Sequence, residues 1–444
     1  MKGYVDEAEY FKQTDDSDLS DDSSVPKESF IKQAKEQLFS LFFRLNTLKI
    51  PLAQHYFILL IVLETFHILS LLLNDGQYQA LGPYGSGSPW NLEQAQWLID
   101  LCWVFRVDRY LRTSYLHFLI LSALFAALVG LMFLLSAVLC WYQKPTSLST
   151  VLLRVLKVCI TLTTNALFIP ICDSFAFGIR CGLKEGSGCL DIIPGYEHLM
   201  VYMSALGVFL GVAGLCSLLY FELCMFCGGV MSKPHSRLKL LRLVGYTAVV
   251  LTQYFVDTNG KAIVFLLVAL CAGALQCYVY AQYIPYYNLL MCKIRLASAV
   301  IFTSAAFCML IGEFFKSTTQ TTSSVTMLFY FLTPCMVQIS HLALSKRCRV
   351  LAARKFQQLN NIYQVELKGR MLVYELEAAR SRSVKSMYGE ADTGTDHNFT
   401  ETQTRVRSEL EALYTEAFRK FPNSEMLYLW STSCGQNYSY CAVL

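Results

Sequence analysis

Glu64 and His67 stand one helical turn apart inside an otherwise apolar run, residues 52–73. An ionised carboxylate at the centre of a bilayer costs roughly 2.5–3.5 kcal/mol on insertion scales, so such a residue turns towards protein or water. Two chemistries fit the pair. One is a proton or cation path in which both groups take part; the other is a hydrogen-bonded pair inside a helical bundle, with Glu64 protonated. A path usually has more than one such position, whereas Glu222, Glu313 and His341 lie near the ends of their apolar runs. That distribution favours the bonded pair.

Cysteine chemistry comes next, because the chain has 17 cysteines. Most lie within apolar runs, where cysteine behaves as a small hydrophobe. Cys181 and Cys189 flank a glycine-rich stretch, residues 182–188, in a loop expected on the non-cytosolic side. An oxidising lumen allows them to pair, with Cys172 as the competing partner, and a bridge over so short a loop contributes about 2–3 kcal/mol. Cys224 and Cys227 form a CxxC without the second pair of a zinc ribbon or the strand of a thioredoxin-like site. Beside a membrane they read as palmitoylation sites or packed thiols. The terminal Cys441-Ala442-Val443-Leu444 fits the prenylation pattern, although one prenyl chain adds little anchoring to a polytopic protein. The tripeptide Asp108-Arg109-Tyr110 mimics that of rhodopsin-like receptors, but it precedes the second apolar run and has no late Asn-Pro-x-x-Tyr to match. Phosphate-binding loops, HExxH, nucleophile elbows and dinucleotide fingerprints are lacking. An enzyme is therefore disfavoured, and no cofactor or metal is expected.

The elements that position these residues are membrane helices. Of 444 residues, 54% are hydrophobic and 16% charged, against a charged share of roughly 25% in soluble domains. A net charge of +4 gives no reason to expect a nucleic-acid partner. The expected class is all-α, a polytopic bundle with a cytosolic helical tail. Residues 1–28 are acidic and serine-rich, too poor in apolar surface to fold. Residues 29–51 have apolar positions at helical spacing opposite Lys32, Lys35 and Arg44, as in a basic helix lying on an anionic leaflet or packed on the bundle. Residues 52–344 form the bundle. About eight runs reach spanning length, near 52–73, 116–141, 151–171, 198–221, 241–256, 262–283, 294–314 and 324–344. The fifth is the shortest and weakest. Lys144, then Lys233, Arg237, Lys239 and Arg242, then Lys293 and Arg295, and finally Lys346, Arg347, Arg349, Arg354 and Lys355 all read as loop charges on the side of Lys32 and Lys49. The positive-inside rule makes that side cytosolic and an even count places both termini there; Arg106, Arg109 and Arg112 strain the assignment.

Residues 345–400 read as a charged helix and a polar linker, and residues 401–444 as a helix, a turn and the opening of another helix. Leu410, Leu413, Tyr414, Ala417, Phe418 and Phe421 form one apolar stripe, Pro422 stops it, and Leu427 and Trp430 begin a second. The phrase Leu413-Tyr414-x-x-Ala417-x-x-x-Phe421-Pro422-x-Ser424-x-x-Leu427 resembles a half-a-TPR (HAT) unit, a TPR-like repeat whose paired helices stack through such faces. With the polytopic region before it, the chain resembles the tiny macrocysts B and C group of protist membrane proteins. That resemblance implies a multi-span region followed by TPR-like repeats, often with a PAS sensor domain and further spans. The chain departs from the pattern by ending after about one repeat, which implies a truncated or short form. The function implied is signalling or scaffolding, with the bundle sensing or anchoring and the tail recruiting a cytosolic protein. The alternative is an ion or proton-coupled channel or transporter using Glu64 and His67, and a third is a receptor-like protein of seven or eight spans. The expected partners are the bilayer and a cytosolic protein, and a homo-oligomer is compatible with both.

Overall fold

The computed structural model describes residues 36–38, 40–42, 44–45, 54–72, 104, 115–141, 147–183, 196–219, 237–255, 261–286, 288–314, 321–359, 361–388 and 395–422. Several expectations lie outside them: the acidic segment 1–28, Arg106, Arg109, Arg112, Lys144, Cys189, Cys224, Cys227, Lys233, Leu427, Trp430 and Cys441. The chain divides into two compact units, residues 1–40 and 41–444, and the helices and sites belong to the second.

Eleven long α-helices succeed one another among the described residues, with no strand: α1 (Gln54–Leu72), α2 (Tyr115–Trp141), α3 (Ser147–Thr164), α4 (Phe168–Leu183), α5 (Tyr196–Leu219), α6 (Arg237–Phe255), α7 (Lys261–Tyr283), α8 (Leu289–Phe314), α9 (Thr321–Ala353), α10 (Ile362–Tyr388) and α11 (Thr395–Lys420). Six of them, α1, α2, α5, α7, α8 and α9, are long and apolar enough to cross a membrane. This is compatible with an integral, multi-pass membrane protein. Their outward faces carry large apolar side chains, among them Leu124, Leu134, Val201, Phe331 and Leu342, as lipid contact requires. The axis of the bundle is α8. Of its membrane-length stretch 67% is buried, against 11% for α9, and it packs on α1, α7 and α9.

Two of the eight expected spans take a different form. The run 151–171 is broken: α3 and α4 meet at residues 165–167 with their axes bent by 63°, and the two together count as a seventh span at most. Pro170 gives the physical reason. It has no N–H to bond the Ala166 carbonyl four residues earlier, so the helix cannot run through. The Leu167 amide reaches back to the Leu162 carbonyl at 2.9 Å, a wider turn than an α-helix makes. The run 241–256 lies in α6, which begins at Arg237 and includes Lys239 and Arg242, and it does not meet the apolar criterion.

Helices approach one another closely where glycines allow it. Gly178 and Gly182 lie one turn apart on α4 and face α5; a Cβ added at Gly178 falls 2.8 Å from the Tyr202 Cγ, and one at Gly182 falls 3.2 Å from the Leu199 Cβ. This is the small-xxx-small device of membrane helix pairs. Gly178→Val is expected to lower stability by about 1–3 kcal/mol through overpacking. Gly130→Ala, where the added carbon meets nothing within 4 Å, is the control. Equal thermal unfolding midpoints for the two variants in detergent would refute the close contact.

The tail is an antiparallel hairpin of α10 and α11. Val406, Leu410, Leu413, Tyr414 and Ala417 of α11 pack with Leu359, Val365, Leu372 and Val373, and Phe418 and Phe421 join at the edge. The stripe read as the first half of a repeat is thus buried among the described residues by the helix before it. Pro422 stands exposed in the turn after α11. Helix α10 runs on to Tyr388 and α11 starts at Thr395, so the polar break is shorter than the pattern suggests. Lys420 closes the open end, its ammonium donating to the Leu359 carbonyl at 2.7 Å and lying 5.7 Å from the Phe356 ring.

Candidate functional site: a buried charge cluster at a helix break

The break between α3 and α4 leaves helix-end carbonyls buried inside the bundle, where they need hydrogen-bond donors. Cationic side chains of two neighbouring helices take that place. Arg242 of α6 donates to the Thr164 carbonyl at 3.3 Å and to Asn165 Oδ1 at 3.0 Å. Arg295 of α8 donates to the same Asn165 oxygen at 3.2 Å. Lys239 of α6 donates to Thr164 Oγ1 at 2.5 Å, and that hydroxyl spends its own hydrogen on the Ile160 carbonyl. The C-terminal end of α3 therefore faces cations, as the helix dipole favours.

Glu64 of α1 completes the cluster. Its Oε2 accepts from Arg295 Nη1 at 2.6 Å, and its Oε1 lies 3.2 Å from Arg242 Nη1 in an ion pair without hydrogen-bond alignment. These groups are sealed from solvent, with exposures of 1% for Glu64, 2% for Arg242 and Arg295, and 7% for Lys239. The Arg242 guanidinium also lies 6.0 Å from the Tyr246 ring.

The contacts of Glu64 are thus with two arginines. The His67 ring is hydrogen-bonded to the Ala166 backbone, at the position whose helical donor Pro170 lacks. Thr65 adds a side-chain bond to Ser298 at 2.6 Å, tying α1 to α8 beside the cluster.

Three of these residues differ from their expected placement. Lys239, Arg242 and Arg295, expected among cytosolic loop charges, lie on helical turns and face inward. A signal for two of them exists in the sequence. Lys239, Arg242 and Tyr246 recur at spacings of three and four, one face of a helix, whereas loop charges need no such period. A second buried acid, Asp173 of α4, accepts from the Tyr254 hydroxyl of α6 at 2.6 Å. It sits in an apolar run and is not among the expected site residues.

Cys181 is disulfide-bonded. Cys172, the competitor, is a buried free thiol. No group of three His, Cys, Asp or Glu side chains among the described residues could hold a metal.

A second set of contacts joins the bundle to the tail. The connection from α7 to α8, residues 284–288, exposes backbone carbonyls that α10 takes up. Arg370 bonds the Ile284 carbonyl and, at 3.3 Å, the Tyr286 carbonyl. The Tyr374 hydroxyl reaches the same Tyr286 oxygen at 3.2 Å. Glu366 fixes the guanidinium from the next turn of α10, at 2.6 Å. Both partners are buried, and burial pushes the Glu366 carboxyl above its ordinary range while Arg370 pulls it back. Ile284 has φ of 43°, the left-handed region that a β-branched residue before a proline avoids, so the clasp holds a strained loop in place. Asn288 then caps α8 by accepting the Leu290 amide at 2.9 Å.

Comparison of the chain with protein-family models, with curated proteins and with solved structures finds no match.

Proposed function

We propose that this chain is a multi-pass membrane protein of signalling or scaffold type, whose bundle is linked to a cytosolic hairpin that holds partner proteins. The observation that carries the reading is the clasp of Arg370 and Tyr374 on the α7–α8 connection. Arg295 lies nine residues beyond Tyr286 on the central helix. Movement of Arg295 against Glu64 would shift the start of α8 and, with it, the carbonyls that α10 grips. A tail meant only to hang in solvent would not need a buried ion pair against the bundle.

The topology we propose has eight spans, counting the bent α3–α4 pair once and α6 once, with both termini cytosolic. It is supported by Lys346, Arg347, Arg349, Arg354 and Lys355 at the end of α9 and the start of the tail. The test is to compare the interaction partners of the full chain with those of a chain lacking residues 360–444. Both insert into membranes, and the shortened chain loses specific cytosolic partners; an unchanged set would overturn the reading.

A second reading, a proton or ion-coupled transporter or channel, is favoured by one feature, the charged helix break inside the bundle. Transporters use broken helices in this way. It predicts flux in reconstituted vesicles that Glu64→Gln removes, and a silent wild-type protein would sink it.

A further inference from the structure

We infer that the bundle binds a compact monoanion, a halide or a small carboxylate such as formate, between Lys239, Arg242 and Arg295. Three cationic side chains converge on Thr164, Asn165 and Glu64, and the carboxylate that faces them is Glu64 alone among the described residues. One formal positive charge stays uncompensated between the two arginines and Glu64, and a second wherever the buried Lys239 keeps its proton. The end of α3 supplies about half a negative charge through its dipole, which leaves between about half a unit and one and a half. Buried charge without a counter-charge is among the costliest arrangements a bundle can hold.

The hydrogen-bond inventory points the same way. The Nε of Arg242 and the Nε of Arg295 are both buried without an acceptor. Arg295 bonds Glu64 and Asn165 through its two terminal nitrogens, Arg242 bonds Thr164 and Asn165 through Nη2 alone, and the Nε–H of each is left without an acceptor among the described residues. Lys239 has three N–H donors and one hydrogen bond among the described residues, to Thr164. A single anion accepting from these groups supplies the missing acceptors and the missing charge together. Asn165 and Thr164 orient the cations, because their oxygens fix the terminal nitrogens and leave the Nε edges for the ligand. A monoanion brings the cluster within about half a charge of neutrality whether or not Lys239 keeps its proton. A phosphate dianion overshoots by more once Lys239 is neutral.

This inference does not rest on the signalling reading, since it concerns the bundle and leaves the tail aside. The experiment is thermal unfolding of the full-length protein in detergent at fixed ionic strength, with gluconate replaced stepwise by chloride, bromide or formate, and with phosphate as a further arm. The midpoint is expected to rise with a small monoanion and level off, by about 3–5 °C at saturation. Arg242→Gln and, should that variant fail to fold, Lys239→Gln are expected to lose the rise. A midpoint that is the same in every anion would overturn the inference. So would a rise that persists in the variants, or one that never saturates, since both mark a general salt effect. Stabilisation by phosphate alone would overturn the monoanion class. Loss of cytosolic partners on removal of residues 360–444 is a separate readout, so either proposal can fail without the other.

Discussion

Glu64→Gln is expected to lower the stability of the bundle by about 3–5 kcal/mol, the cost of leaving buried charges without their partner. The reason lies in the charge balance of the cluster. One carboxylate serves two guanidiniums, through Oε2 to Arg295 at 2.6 Å and through Oε1 to Arg242 at 3.2 Å. Neutralising it leaves two buried guanidiniums, and Lys239 wherever it keeps its proton, with no carboxylate facing them among the described residues. Removal of one arginine has the opposite effect on the balance, because Glu64 keeps the other. Arg242→Met is therefore expected to cost less than Glu64→Gln, which breaks both ion pairs. Counted contact by contact, Arg242→Met loses three partners, Glu64, the Thr164 carbonyl and Asn165, against two for Glu64→Gln, and would cost at least as much. Denaturant unfolding of the two variants in the same detergent separates the views, and an arginine variant less stable than Glu64→Gln would refute the excess of positive charge.

Arg370→Ala is expected to undock the α10–α11 hairpin from the bundle. The variant leaves the Ile284 and Tyr286 carbonyls without their guanidinium donor and Glu366 buried without its cation, again about 3–5 kcal/mol. Tyr374→Phe removes one neutral hydrogen bond and should cost only about 0.5–1.5 kcal/mol. Limited proteolysis within residues 354–361 reports undocking, and a hairpin as resistant in Arg370→Ala as in the parent would refute the clasp.

The same variant carries a pH signature. Burial raises the Glu366 carboxyl, and Arg370 works against that rise. Without Arg370, burial acts alone, so the folded carboxyl binds its proton more tightly than the unfolded one. Its contribution to docking is then fully present below the ordinary carboxylate range and is lost as pH rises through the elevated folded value. The variant hairpin should be docked in mild acid and released towards neutrality, whereas the parent, in which Arg370 holds the rise back, loses less over the same range. Release favoured by acid would have the wrong sign for this account.

How much of this is legible in the sequence varies by element. Composition and run length are enough to expect helices of membrane length, because apolar stretches near 20 residues have few other ways to be satisfied, and six such helices are present among the described residues. The break inside 151–171 is within reach, since Pro170 stands in the run, but the rest of the stretch is apolar enough to hide it. The tail stripe is periodic in the sequence and helical in the structure. A period says that a face is buried, without saying by which helix, and α10 rather than a later helix covers it among the described residues.

Glu64 shows where reading along the chain stops. The sequence marks it as a costly intramembrane acid that needs a partner, and the nearest candidate one turn away is His67. Its actual neighbours come from α6 and α8, far along the chain, at positions where basic side chains pass for loop charges. Burial cost is a property of one residue and its run, so it can be read from the sequence alone. Which charge answers it depends on how helices pack around a break, and that is a property of the fold.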